Sequence, residues 1–182
     1  MSCILHIETS TNVCSVAVSE DGKVIFDKAD RTGNNHAEAL GSFVDEAMSF
    51  ADSHAIPLDA VAVSCGPGSY TGLRIGVSMA KGVCYALDIP LLSVSTLELM
   101  CVPVLLRHEE IEDDALICPM IDARRMEVYA ALYDRALKTV RPIQAMWWMA
   151  TLIAGGSTSG LCISSATVQP NAWISLHIPM PT

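Results

Sequence analysis

Charge is scarce in this sequence, and after Arg141 it is absent: no Asp, Glu, Lys or Arg occurs from Pro142 to Thr182. Only 17% of the 182 residues are charged and 51% are hydrophobic, which is ample apolar material for one compact domain or two small lobes. Positive charge is the scarcer sign. Eleven Lys and Arg face 20 Asp and Glu, for a formal net charge of -9. That balance excludes a generalised nucleic-acid surface, though not a place in an RNA process served through a partner. No run reaches the roughly 18 apolar residues of a membrane helix. No segment joins a basic start, an apolar core and a small-residue cleavage site, so the expected location is the cytoplasm. The cysteines, Cys3, Cys14, Cys65, Cys84, Cys101, Cys118 and Cys162, never form a CxxC pair and are odd in number. They predict reduced thiols rather than a disulfide or zinc framework.

Several chemical motifs are missing by a residue or two. The glycine-rich stretch GPGSYTGLRIG, Gly66 to Gly76, follows the apolar run AVAVS as a phosphate loop would. It has Leu73 and Arg74 where a Walker loop needs Lys and Ser or Thr, and one residue too many for GxGxxG. What remains is a demanding turn at a helix start, with Ser69, Tyr70 and Thr71 near free amides. His36 and Glu38 form HxE, but Leu40 stands where a metal-binding helix face would want a second histidine, so no metal is expected. Ser10 lacks a nucleophile elbow, and Cys65 has no assigned base. Glu8 and Asp122 each close an apolar strand-like run, a placement that fits either a nucleotide and magnesium cleft or simple turn capping.

The patterning that is present reads as α/β. CILHIE, CSVAVSE and KVIFDKAD predict three strands, the second and third joined by an Asp-Gly reversal suited to an antiparallel hairpin. Leu40, Phe43, Val44, Ala47, Met48 and Ala51 recur at helical spacing, DAVAVSCG predicts a central strand, and Leu73, Val77, Ala80, Cys84 and Leu87 define the sheet-facing side of a second helix. Gly76, Ser78 and Gly82 make another side of that helix small, a surface for close approach by a second helix. PLLSVS gives a further strand, and Ser95 with Glu98 has capping-box spacing for a third helix that Pro103 should kink or divide. ALICPMIDARRMEVYAALYD then repeats the opening plan in outline, with Arg124 and Arg125 in a polar turn.

Taken together, ILHIETSTNVCSVAV, HAEAL, GPGSYTGLRIGVSMAKGVCYALDIPLLSVSTLE and MIDARRMEVYAALY resemble the bacterial TsaB (YeaZ) family over about residues 3 to 143. The resemblance implies an ASKHA fold, the actin-like ATPase or ribonuclease H-like architecture, with lobes of βββαβα order. Its expected divisions are an N-terminal lobe over residues 1–112, the start of a C-terminal lobe over 113–141, and an atypical uncharged tail over 142–182 that reads as frameshifted or disordered. It implies a non-catalytic accessory subunit, a scaffold and activator for the paralogue TsaD in forming N6-threonylcarbamoyladenosine beside the anticodon of tRNAs reading codons that begin with A. TsaE is then met through the complex, tRNA indirectly through TsaD, and a homodimer forms when TsaD is absent. No cofactor is required by the chain alone; ATP and magnesium belong to the complex. The alternative is an ASKHA-type ATPase or small-molecule kinase. The signature loop maps to Pro67, Gly68, Ser69, Tyr70, Thr71, Gly72, Leu73 and Arg74. The partner or dimer interface maps to Leu40, Phe43, Ala47, Gly76, Ser78, Ala80 and Gly82, and a weak nucleotide or magnesium cleft to Glu8, Ser10 and Asp122. Where the active relatives carry HxxxH, this chain has His36 and Leu40, and Glu8-Thr9-Ser10 replaces the Asp-Gly start of an active phosphate loop.

Overall fold

A computed structural model describes residues 1–32, 36–107 and 114–147, and the backbone of 159–164 and 174–177. Two compact units divide the chain, Met1–Thr96 and Leu97–Thr182. The first opens with β1 (Cys3–Glu8), β2 (Cys14–Glu20) and β3 (Lys23–Asp30), an antiparallel meander as the sequence predicts. Asp21 and Gly22 form the β2–β3 turn with φ of 48° and 80°, a backbone that Asp tolerates and Gly adopts freely. Then come α1 (His36–Ser53), β4 (Ala60–Ser64), α2 (Tyr70–Leu87) and β5 (Leu91–Val94). The sheet order is β3-β2-β1-β4-β5, with β1, β4 and β5 parallel.

Alternation along β1 and β2 sends Leu5, Ile7, Val16 and Val18 to one face, where Leu40, Val44 and Ala47 of α1 and Ala80 and Val83 of α2 close a single core. The α1 stripe matches the sequence reading. On α2 the buried line is instead Gly72, Gly76, Ala80 and Val83, and Leu87 is 41% exposed. The helix has turned its small side inward, because that side approaches the β1–β2 turn.

The second unit contains α3 (Thr96–Arg107), β6 (Leu116–Arg124), β7 (Glu127–Tyr133), β8 (Thr139–Trp147), β9 (Ser159–Ser164) and β10 (Ile174–His177). Its sheet order, β8-β7-β6-β9-β10, repeats the first sheet's meander followed by a parallel neighbour, with β9 parallel to β6; β10 differs in running antiparallel to β9. Helix α3, read from sequence as part of the first lobe, buries Leu97 and Cys101 with Ile117, Ile121, Ala131 and Tyr133 of this unit. It passes through Pro103 undivided, and the Ser95 hydroxyl finds no partner among the described residues, so the expected capping box is not made. Burial, with the Glu98 charge added, pushes the Cys101 thiol up to about 12, and the thiol stays protonated. Strand β8 crosses the expected boundary at 141, and β9 and β10 draw parts of the uncharged tail into the sheet; the rest of that tail lies outside the described residues. Among the described residues, no helix is long and apolar enough to cross a membrane.

Candidate functional site

The glycine-rich loop leaves β4 and enters α2 while clasping the β1–β2 turn. Cys65 donates its N–H to Val94 O at 2.9 Å, and Gly66 O accepts from Thr96 N at 3.0 Å, so the loop is sewn to the end of β5. Gly66 has a φ of 106°, a conformation open to glycine, and precedes a cis proline, Pro67. Ser69 donates its backbone N–H to the Ser10 carbonyl at 2.7 Å, and its hydroxyl caps α2 by accepting from Gly72 N at 3.3 Å. A Cβ at Gly68 would collide with Ser10 O, one at Gly72 with Thr9 O, and one at Gly76 with Thr9 Oγ1. Gly72 and Gly76, four residues apart, lie on one line of α2, and Gly68 stands just before its cap; there the loop and helix seat on the turn without side chains between them.

The turn is equally occupied from its own side. Glu8 Oε1 accepts from Ser10 N at 2.6 Å and from the Ser64 hydroxyl at 2.9 Å. His36, at the start of α1, donates from Nε2 to the Thr11 carbonyl at 2.9 Å. Thr9 and Ser10 are buried, and their hydroxyls have no partner among the described residues. A bound phosphate needs free amides and room. Here Glu8 takes the Ser10 amide and brings its own negative charge, while Gly68 and Gly72 fill the space with backbone. These residues do not fit a nucleotide phosphate.

On the solvent side of α1 and α2 lies an open groove of about 730 Å³. Met48, Ile75, Met79 and Val83 supply its apolar surface, with Ser78 and Gly82 along the α2 side. A Cβ at Gly41 or Gly82 would meet nothing within 4 Å. Arg74 lies over the Tyr70 ring with 5.5 Å between guanidinium carbon and ring centroid, and Tyr85, one helical turn from Gly82, is 91% exposed. Exposed Asp45 and Asp52 follow Gly41 and Met48 along α1, whereas Arg74 and Lys81 are exposed on α2.

The family model described as "TsaD: tRNA N6-adenosine threonylcarbamoyltransferase" matches residues 29–150. A Bacillus subtilis (strain 168) protein named "tRNA threonylcarbamoyladenosine biosynthesis protein TsaB" is 38% identical over 131 residues, 72% of this chain and 55% of the relative. An Escherichia coli (strain K12) protein of the same name is 34% identical over 134 residues, with the same shares. The solved structure "YeaZ from Pseudomonas aeruginosa" superposes with a TM-score of 0.65 at 28% identity, over 81% of this chain and 68% of that one. The chain belongs to this family, among its TsaB (YeaZ) members. The fold is therefore of the ASKHA type, and the chain spans about half the length of the curated TsaB relatives it matches.

TsaB membership sorts the candidate residues. The signature loop, Pro67 to Arg74, is the clasp on the β1–β2 turn, with Thr71 and Arg74 also reaching the groove. Of the expected interface, Ser78 and Gly82 line the groove. Leu40, Ala47 and Ala80 are instead fully buried, Gly76 faces Thr9, and Phe43 packs half-buried on the core. Leu40, Ala47, Gly76 and Ala80 are thus occupied by the chain's own core and turn, whereas Phe43 keeps part of its surface exposed. Glu8 and Asp122 belong to different units, and each is engaged in its own turn, Asp122 Oδ1 accepting from Arg124 N at 2.7 Å. Sequence reading missed Met48, Ile75 and Met79, whose steps match an ordinary core helix and carry no sign of which face is left open.

Proposed function

We propose that this TsaB-family chain acts in tRNA threonylcarbamoyladenosine biosynthesis as a non-catalytic scaffold and activator, docking TsaD on the α1–α2 groove. The observation that carries the reading is the pairing of an open apolar groove with a β1–β2 turn filled by its own chain. One offers a partner a surface of part-exposed methionine and isoleucine to desolvate on binding; the other leaves little for nucleotide chemistry on this chain. Exposed Asp45 and Asp52 on α1 and Arg74 and Lys81 on α2 are of opposite sign, so a twofold contact that sets α1 of one copy against α2 of the other opposes unlike charges. This supports a homodimer that competes with TsaD for the same groove, with TsaE and tRNA reached through the complex. The ASKHA-type ATPase or kinase alternative is not favoured, since Glu8 and Ser10 are committed to holding the turn.

Ser78→Trp tests the reading, because Ser78 is exposed and lines the groove. TsaD-dependent transfer of threonylcarbamoyl to tRNA should rise when the chain is added. The variant should lose at least about tenfold in TsaD affinity, a difference of about 1.4 kcal/mol, with unchanged thermal unfolding. Equal transfer with and without the wild-type chain would reject the function, and undiminished affinity of the variant would reject the groove.

A further inference from the structure

The β6–β7 turn belongs to the second unit and has a chemistry different from that of the groove. Arg124 pairs with Glu127 across the hairpin, leaving Arg125 and Met126 as its central residues. Arg124, Arg125 and Met126 are all exposed, and neither guanidinium has an ion-pair partner among the described residues. The β7–β8 register sets Glu127 opposite Trp147 and Tyr129 opposite Ala145. Arg124, Glu127, Tyr129 and Trp147 consequently share one face, with the two aromatics as diagonal neighbours. The same face carries Ile121, Ala131 and Tyr133, buried against Leu97 and Cys101 of α3, while Val128 and Ala130 point into a second core on the other face; only toward the β6–β7 turn does it open, with Trp147 64% exposed and Tyr129 36% exposed.

The strands β6 to β8 with their connections are also net positive. From Leu116 to Trp147 the chain carries Arg124, Arg125, Arg135, Lys138 and Arg141 against Asp122, Glu127 and Asp134, a positive balance inside a chain of net charge -9. The Asp122 carboxylate is turned onto the amide of Arg124. Glu127 lies between Arg124 and Trp147 in the register and sets a limit on how many phosphates can approach.

We propose that the open, turn-proximal end of this face binds single-stranded RNA, stacking bases on Tyr129 and Trp147 and taking the adjoining phosphates with Arg124 and Arg125. Planar aromatics beside free guanidiniums are the combination that unpaired nucleotides engage, through ring stacking and phosphate pairing together. A duplex, whose bases are already stacked, gains only the charge contact.

The test is fluorescence anisotropy of the full chain with a short, unstructured, dye-labelled RNA of mixed sequence, at several salt concentrations. The wild-type chain should bind the RNA and quench its tryptophan emission. Arg124→Gln with Arg125→Gln should weaken binding about tenfold and flatten the salt slope by about 1.4, the expectation for two lost phosphate contacts on a single strand. Trp147→Ala should weaken binding about tenfold with the salt slope unchanged, and Trp147→Phe should restore most of it. Unchanged affinity in the double-arginine variant would overturn the proposal, as would equal competition by poly-glutamate, which offers charge without bases. TsaD stimulation is read separately on the groove variant, so either result can fail while the other stands.

Discussion

The two units build the same strand order and treat the corresponding connections in opposite ways. In the first, the link from β1 to β2 runs through Thr9–Val13 and is clasped from both sides, by His36 of α1 and by the glycines of α2. In the second, the link from β6 to β7 is reduced to Arg125 and Met126, bare at its tip. A second pair sharpens the contrast. Both the β2–β3 and β6–β7 hairpins have positive φ at their two central residues, but the first uses Asp21-Gly22 and the second uses Arg125 at 57° and Met126 at 64°, preceded by Arg124 at 67°. The first unit spends its special residues on internal fit. The second tolerates strain to present long side chains, the pattern that marks sites under a constraint other than stability.

The largest effect is expected where the clasp is tightest. Gly72→Val puts a branched side chain against the Thr9 carbonyl, which backbone cannot vacate, and should destabilise the first unit by about 3 kcal/mol or more. Hydrogen exchange should show protection lost in β1 and β4; wild-type protection there would mean that the clasp is not what holds the turn. A middle-sized effect of opposite sign should come from the strained hairpin. Met126→Gly relieves a non-glycine residue at positive φ and should raise stability by about 1 kcal/mol in denaturant unfolding, while Gly22→Ala should lower it by a similar amount. Equal shifts in both hairpins would erase the contrast between the units.

The smallest effect is a pH slope. Burial holds the His6 imidazole below its ordinary value near 6.5, and its Nε2 lies 2.7 Å from the Ser19 hydroxyl. In the unfolded chain His6 takes up a proton as pH falls through about 6.5 while the folded form resists, so stability should decline on acidification through that point and level off below the folded value. His6→Gln should flatten that part of the stability profile. An identical slope in the variant would remove His6 as its source.

Much of the first unit was legible in the sequence. Alternation and the Asp-Gly pair give the meander, and the α1 stripe identifies Leu40, Val44 and Ala47 as core. The face of α2 was misread for a physical reason. Small residues permit close approach without saying to what, and here Gly72 and Gly76 approach the chain's own turn while Ser78 and Gly82 remain outside. Ala80 shows the same ambiguity, since a methyl group suits a helix partner and a sheet equally well; its burial makes it core. The Ser95-Glu98 spacing promised a cap that the buried Ser95 hydroxyl does not make, because local spacing carries no information about what surrounds the hydroxyl. The pairing of Tyr129 with Trp147 depends on strand register across a bulged hairpin, which neither residue's neighbours in sequence reveal.

The line of glycines has a consequence for what a gene encoding this chain can tolerate. A saturation library through the loop and α2 would read like a comb, with teeth of near-total intolerance at 68, 72 and 76 and open gaps at 78 and 82. One short run of codons would thus answer to two judges, the teeth to whether the protein forms at all and the gaps only to the company it keeps.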